Sequence, residues 1–446
     1  MKRLVDNLLL DWKNSSRRKP LIVRGARQVG KTFTIANFGA ANYKTLVVID
    51  FERNPVLKKI FETDIQPSRI VDELELATSK KITPGETLIF FDEIQECPRA
   101  LVSLRYFYEE MPGLHIIAAG SLLEFAMGEI SFPVGRIQFA EIFPLNFLEF
   151  QMALGNERAI DYLSCPPKEM SDTSHLFLMK QLKDYFFVGG MPEAVKTFVE
   201  TKSINNAIEV QGEICNSLKQ DFAKYNPHVD KQCLAGVFTS LAMNVGKQTK
   251  YTSLNNDFSN PTIKKAYNTL VQAKLVHTIN SVNPQGFPLQ IMTSKIFKTC
   301  MLDIGIMNFL CGIYKTDEYF KTDLLGIYRG AMAEQFVGQE IAVNQNNELF
   351  YWSRQAKNSS AEVDYVIAVN DTIIPVEVKS AKAGKLRSMH QFLKEYPDCK
   401  GGYVFSANNY SEFPEQKLTF LPLYFAYSAS KNNIMDSLTE KPVTII

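Results

Sequence analysis

The sequence predicts an α/β fold: an N-terminal parallel sheet, a central mostly helical region and a second α/β unit at the C-terminal end. Three observations carry this prediction. A short apolar run, LIVRG, leads into the glycine-bounded octapeptide GARQVGKT at residues 25–32. An unbroken apolar run from Leu88 to Phe91 ends in Asp92 and Glu93. Late in the chain, AEVDYVIAVN and TIIPVEVKS form two adjacent strand patterns that carry Asp364, Glu377 and Lys379. A chain of 446 residues exceeds one ordinary core, and three regions are expected: 1–155, 156–325 and 326–446.

The first region opens with MKRLVDNLLLDWKNSSRRKP, too short and polar for a signal peptide, which reads as an amphipathic helix. LIVRG is a buried strand, and GARQVGKT has the pattern G-x-x-x-x-G-K-T of a phosphate-binding loop. Gly25 and Gly30 let the backbone turn tightly, and the N–H groups of Ala26, Arg27, Gln28 and Val29 line an anion cradle. Lys31 brings a point charge to the terminal phosphates, and the Thr32 hydroxyl is a magnesium ligand. A chance glycine-rich turn would not be expected to sit between a strand and a helix in this order.

TLVVIDFE (Thr45–Glu52) and GETLIFFDEIQ (Gly85–Gln95) are the next strands. A continuous apolar run marks a parallel strand buried on both faces. Its C-terminal end is where such sheets bind ligands. Asp92 is placed there to hold magnesium, and Glu93 to act as general base on the attacking water. The competing reading of this pair is an acidic helix N-cap. LHIIAAGS ends in Ser121, a candidate sensor of the terminal phosphate. Arg136 enters the strand that follows, either as a phosphate-sensing arginine, in cis or in trans, or as a solvated strand edge.

RGARQVGKT, FFDEIQ, AAGS and VGR-x(7)-PLNFLEF together resemble the prokaryotic AAA-type P-loop ATPases that carry a C-terminal domain of unassigned function. GGMPEAV in the middle region is also a pattern of that family. The resemblance spans nearly the whole chain and implies an AAA-type core with ATP and magnesium as cofactors.

Residues 151–210 read as helical, with LKDYFFVGGMPEAV as two helices joined at Gly189–Gly190. CLAGVFTSLAMNV, KYTSLNND and NPTIKKAYNTLVQAKLV read as three further helical stretches with the spacing of a winged helix. Thr262, Lys264 and Lys265 would lie at the start of its second main helix, where DNA readers place their contacts. The alternative is a packing module with solvated lysines.

GAMAEQFVGQEIAVN is an expected helix carrying Glu334. ELFYWSR, AEVDYVIAVN and TIIPVEVKS are three strands, a helix follows around Lys385–Leu393, and GGYVFSA is a fourth strand. The order α-β-β-β-α-β resembles the PD-(D/E)-x-K, restriction-endonuclease-like fold, with Val363 in place of the motif's proline. Glu377 and Lys379 are two apart and share one face. Asp364 and Glu377, with Glu334, are candidate ligands for a magnesium ion, and Lys379 is a candidate catalytic lysine. The competing reading is an inactive relic whose Glu377–Lys379 pair is a strand ion pair.

Bulk properties narrow the field. The net charge of +1 means that any nucleic-acid surface is a local patch. The seven cysteines include no C-x-x-C pair, which argues against zinc and suits reduced thiols in a cytoplasm. No apolar run reaches the length of a membrane span. The leading expectation is a DNA-processing ATPase with a metal-dependent nuclease domain. The second is a nucleotide-dependent switch that binds DNA or a protein partner, or a second copy of itself, through an inactive nuclease-like domain. A small-molecule kinase is weakest, because Asp92 and Glu93 suit activation of water and a long remainder of chain would be unused.

Overall fold

The computed structural model describes residues 1–121, 123–127, 135–225, 229–292, 294–313, 329–345, 347–356, 359–379 and 386–431. The first sheet is built from β1 (Leu21–Arg24), β2 (Thr45–Asp50), β3 (Thr87–Asp92), β4 (His115–Ala119) and β5 (Gln138–Glu141). Its order is β2-β3-β4-β1-β5, and every pair is parallel. Each residue of β3 is buried, as its continuous apolar run requires. Alternate residues serve opposite faces. Ile22, Ile89 and Phe91 join a core under the helices Pro67–Thr78 and Pro98–Glu110. Leu21, Val23, Leu88 and Phe90 join a larger core on the other side. The N-terminal helix, Val5–Asn14, is amphipathic as expected and buries Leu9 and Trp12 in that larger core.

The larger core continues through five successive helices, Phe147–Leu154, Glu157–Ser164, Asp172–Val188, Pro192–Thr201 and Ile204–Gln220. Gly189 has φ 69° at the Gly-Gly turn, and Gly190 donates its N–H to Asp303 at 2.6 Å. The helices Lys231–Met243 and Asn260–Gln272 follow. KYTSLNND contributes only a 3-10 turn, Tyr251–Ser253, where a helix was expected. Its two apolar residues, Tyr251 and Leu254, pack on the larger core but are too few to form the stripe of a helix. The second of these helices also stops earlier than its pattern suggested: Lys274 takes φ 59°, and Val276 already begins a strand.

The second sheet contains β6 (Val276–Asn283), β7 (Gln290–Ile291), β8 (Lys298–Met301), β9 (Leu349–Ala356), β10 (Ser359–Val369), β11 (Thr372–Val378), β12 (Gly402–Ser406), β13 (Ser411–Phe413) and β14 (Leu418–Pro422). Its order is β13-β14-β12-β11-β10-β9-β6-β7, with β8 antiparallel to β6. The helices Arg329–Asn344 and Arg387–Glu395 complete the expected α-β-β-β-α-β order; Lys385 lies outside the described residues. One consequence was not foreseen. β6 pairs in parallel with β9, so the sheet runs unbroken across the expected boundary at 325. That pairing satisfies an edge that would otherwise be exposed.

Candidate functional site

The loop after β1 is shaped by its backbone. Gly25 has φ 147°, and a Cβ there would lie 2.3 Å from the Ile142 carbonyl oxygen, so only glycine fits. Gly30 takes φ 91° and caps the helix Lys31–Asn42, whose N-terminus faces the loop. Ala26 and Val29 are buried in the core beneath. The Lys31 ammonium donates to the carbonyls of Gly25 at 2.8 Å and Ala26 at 2.7 Å. Burial lowers its pKa to about 8, against the opposing pull of Glu93 and Asp92.

Asp92 closes β3 beside this loop. Burial raises its pKa, and the nearby Thr32 side chain pulls the other way. Glu93 takes φ 48°, a left-handed conformation that turns its side chain out of the strand. Gln95 Nε2 donates to Glu93 Oε2 at 2.7 Å, and Ser121 Oγ lies 3.5 Å from the same oxygen. Lys31, Thr32, Asp92, Glu93 and Ser121 therefore gather at the carboxyl ends of β1, β3 and β4. Phosphate donors, two hard oxygen ligands and a held carboxylate in one place fit a magnesium nucleotide.

Two loop residues face elsewhere. Arg27 forms an ion pair with Asp221, and Gln28 Nε2 donates to Ser217 Oγ at 3.0 Å. Both partners lie at the end of the helix Ile204–Gln220 or just beyond it. Arg136 is not brought to the loop of its own chain. It pairs with Glu109 at 3.1 Å, and Gln138 two residues later pairs with Leu21 at the opening end of β1. Four residues of strand, about 13 Å, separate that end from Gly25. The parallel direction of β5 is the reason: an arginine that enters this strand lies at the edge opposite the phosphate loop. This corrects the cis phosphate-sensing expectation.

In the C-terminal unit the expected residues converge, but around a lysine. β10 has an irregular register with β9 between Val363 and Val366, a bulge that re-aims Asp364. Asp364 Oδ2 accepts from the Val378 N–H at 2.8 Å, which sets Asp364 beside Glu377. Glu377 pairs with Lys379 on the shared face of β11. Lys298 of β8, with no exposed surface, enters from the middle region. Its ammonium lies 2.5 Å from Glu334, 2.8 Å from Glu362 and 3.5 Å from Asp364. Burial alone would lower the Lys298 pKa, but the three carboxylates raise it well above normal. Burial and Asp364 push Glu334 and Glu377 upward. Among the described residues, no group of three or more acids, histidines or cysteines is arranged to hold a metal ion. The expected ligands Glu334, Asp364 and Glu377 share their space with an ammonium group instead.

Gln95, Lys298 and Glu362 were not expected at these sites. Glu362 had a signal: it lies two before Asp364 in an alternating strand. Lys298 had a weaker one, a charged residue beside the apolar run TCML. Gln95 had none.

Comparison with known proteins agrees in outline. Residues 17–151 match the AAA domain family, residues 179–317 the domain of unknown function DUF8612, and residues 329–425 the domain of unknown function DUF4143. No curated protein matches the chain. Among solved structures, the Walker-type ATPase of Pyrococcus abyssi is 16% identical with a TM-score of 0.44, covering 70% of this chain and 95% of its own. The Aeropyrum pernix ORC1 protein, solved in complex with DNA, is 11% identical with a TM-score of 0.27, covering 69% and 90%. The RuvB Holliday junction branch migration motor of Thermotoga maritima is 16% identical with a TM-score of 0.28, covering 64% and 88%. Superpositions this loose carry no argument about activity. The family match and the phosphate loop make the N-terminal region an AAA-type ATPase domain, and the chain an ATPase.

Proposed function

We propose that the chain is a magnesium-dependent ATP hydrolase that works as a nucleotide-driven switch on DNA. The observation that carries the hydrolase is the end of β3 beside Lys31, where the Glu93 N–H donates to Asp92 at 3.0 Å and Gln95 holds the Glu93 carboxylate. Lys31 exchanges its two carbonyl partners for the terminal phosphates of ATP. Thr32 and Asp92 hold magnesium, which supplies charge neutralisation. Glu93 accepts the proton of the attacking water, with Gln95 and Ser121 fixing the carboxylate. The water oxygen bonds to the terminal phosphorus, and the bond to the ADP oxygen breaks, releasing ADP and phosphate.

The switch reading is supported by the Arg27–Asp221 and Gln28–Ser217 contacts, which tie the phosphate loop to the helical region. Rearrangement of the loop around phosphates loads these contacts directly. The helices Lys231–Met243 and Asn260–Gln272, with antiparallel β6 and β8, support a winged-helix reading. Lys247, Lys250, Lys264, Lys265 and Lys295 are exposed on this module, cations available to a nucleic-acid contact on a nearly neutral chain. The described cysteines are unpaired, which supports a cytoplasmic setting. No helix among the described residues is long and apolar enough to cross a membrane.

The gathering of Asp364, Glu377 and Lys379 favours a second reading, a metal-dependent nuclease. Lys298 weighs against it in this conformation, because its ammonium lies among the carboxylates a metal would need. ATP turnover with branched, linear and single-stranded DNA tests the proposal. Stimulation of several-fold by one of them is the expected result. Turnover indifferent to all three removes DNA as the partner and leaves a protein, or a second copy of this chain.

A further inference from the structure

We propose that Lys298 is a built-in cation that closes a divalent-cation site formed by Glu334, Glu362, Asp364 and Glu377. The site deepens the nuclease-like reading of the C-terminal unit but does not depend on DNA cleavage. Its geometry comes from two modules. Lys298 belongs to β8, within the residues that match one family, whereas all four carboxylates lie within the residues that match the next.

The lysine fits its place closely. An ammonium group has three N–H donors, and three carboxylate oxygens from Glu334, Glu362 and Asp364 surround this one. A magnesium or manganese ion takes oxygen ligands at roughly 2.0–2.1 Å with near-octahedral demands, so it and the ammonium exclude one another.

The lysine does not complete the site. Among the described residues, the cations paired with Glu334, Glu362, Asp364 and Glu377 are Lys298 and Lys379, an excess of two negative charges when all are ionised. Glu377 is 7% exposed, and its Oε2 has no hydrogen-bond partner among the described residues. A buried carboxylate oxygen without a partner is costly, and a divalent cation would satisfy both the atom and the charge excess.

The same module that supplies the lysine also covers the carboxylates. A Cβ on Gly246 would lie 2.7 Å from Glu334 Oε2, so the backbone after the helix Lys231–Met243 rests on that side chain. Gln248 Nε2 donates to Glu362 Oε2 at 2.7 Å. The Thr249–Phe297 bridge joins this cover to the segment entering β8. A displacement that lifts the cover therefore also withdraws the lysine, and the site becomes open to a cation in one movement.

The test is manganese binding by the full-length, nucleotide-free protein, followed by electron paramagnetic resonance. Lys298→Met should gain one Mn²⁺ site bound at least tenfold more tightly than any in wild type. Adding Asp364→Asn should abolish it. No gain in Lys298→Met, or a gain that survives Asp364→Asn, overturns the proposal. Thermal unfolding provides a second readout if the variant folds poorly. Mn²⁺ should raise the Tm of Lys298→Met, or restore its folding, and leave wild type unmoved; no effect on the variant also overturns it. Cleavage of duplex DNA by Mn²⁺-loaded Lys298→Met is measured separately. Bound manganese without cleavage leaves the cation site standing and removes the nuclease.

Discussion

Lys31 shows how much one residue is asked to do. Its ammonium is nearly buried and is held by two carbonyls of its own loop. Burial depresses its pKa to about 8, below the usual 10.5. The unfolded chain therefore binds more protons between about pH 8 and 10.5, and this residue's destabilising effect fades as pH rises through that window. Lys31→Ala removes the strain and the phosphate contact together. The variant should fold at least as well as wild type and lose nucleotide binding by a hundredfold or more, measured by titration with a fluorescent ATP analogue. Binding within threefold of wild type would show that the loop's N–H groups suffice. The residues of this loop were legible because the chemistry is written in eight consecutive positions. Lys298 was not, because its partners lie 36, 64 and 66 positions away and only the fold brings them together.

At the scale of elements, the helix Arg329–Asn344 joins the two chemical regions. Near its start, Glu334 belongs to the carboxylate cluster; further along, Glu340 accepts the Phe147 N–H at 2.9 Å. Phe147 opens the helix Phe147–Leu154, capped by Asn146 in a reciprocal bond with Glu149. Glu340 is 1% exposed, and burial raises its pKa to about 8. A raised carboxyl pKa means that the folded chain holds the proton more tightly. The contribution is full below the ordinary value of 4.5 and is lost as pH rises through about 8. Glu340→Gln keeps an acceptor for Phe147 and removes the charge. It should match wild type near pH 4.5 and exceed it in stability by about 1–3 kcal/mol above pH 8, by denaturant unfolding. Equal stability at both pH values would place the proton elsewhere. The elements themselves were largely legible. Their periodicities survive folding, and the failures have local causes. KYTSLNND had too few apolar residues to pack as a helix. The direction of β5 carries Arg136 to the far edge of the sheet, away from the phosphate loop of its own chain.

Across the whole molecule, what distinguishes the chain is how its regions are joined. The second sheet takes β6, β7 and β8 from the middle region and β9 to β14 from the C-terminal one. A boundary at 325 was reasonable from composition, but strand pairing between distant segments leaves no compositional mark. The helical region reaches back to the phosphate loop through Asp221 and Ser217. The helix Asn260–Gln272, with Lys264 and Lys265 exposed, therefore belongs to a region that contacts both the nucleotide site and the carboxylate cluster. If DNA lies on that helix, Lys264→Ala with Lys265→Ala should weaken binding and flatten its salt dependence by about two counterions, read from anisotropy at several salt concentrations. An unchanged slope would assign the helix to protein contact. Hydrolysis of ATP by the Asp92–Glu93 strand end is measured by single-turnover release of phosphate from pre-bound ATP. Glu93→Gln should bind ATP as wild type does and release phosphate on the order of 10²–10⁴-fold more slowly, because an amide accepts no proton. Release at the wild-type rate would mean that Glu93 is not the base.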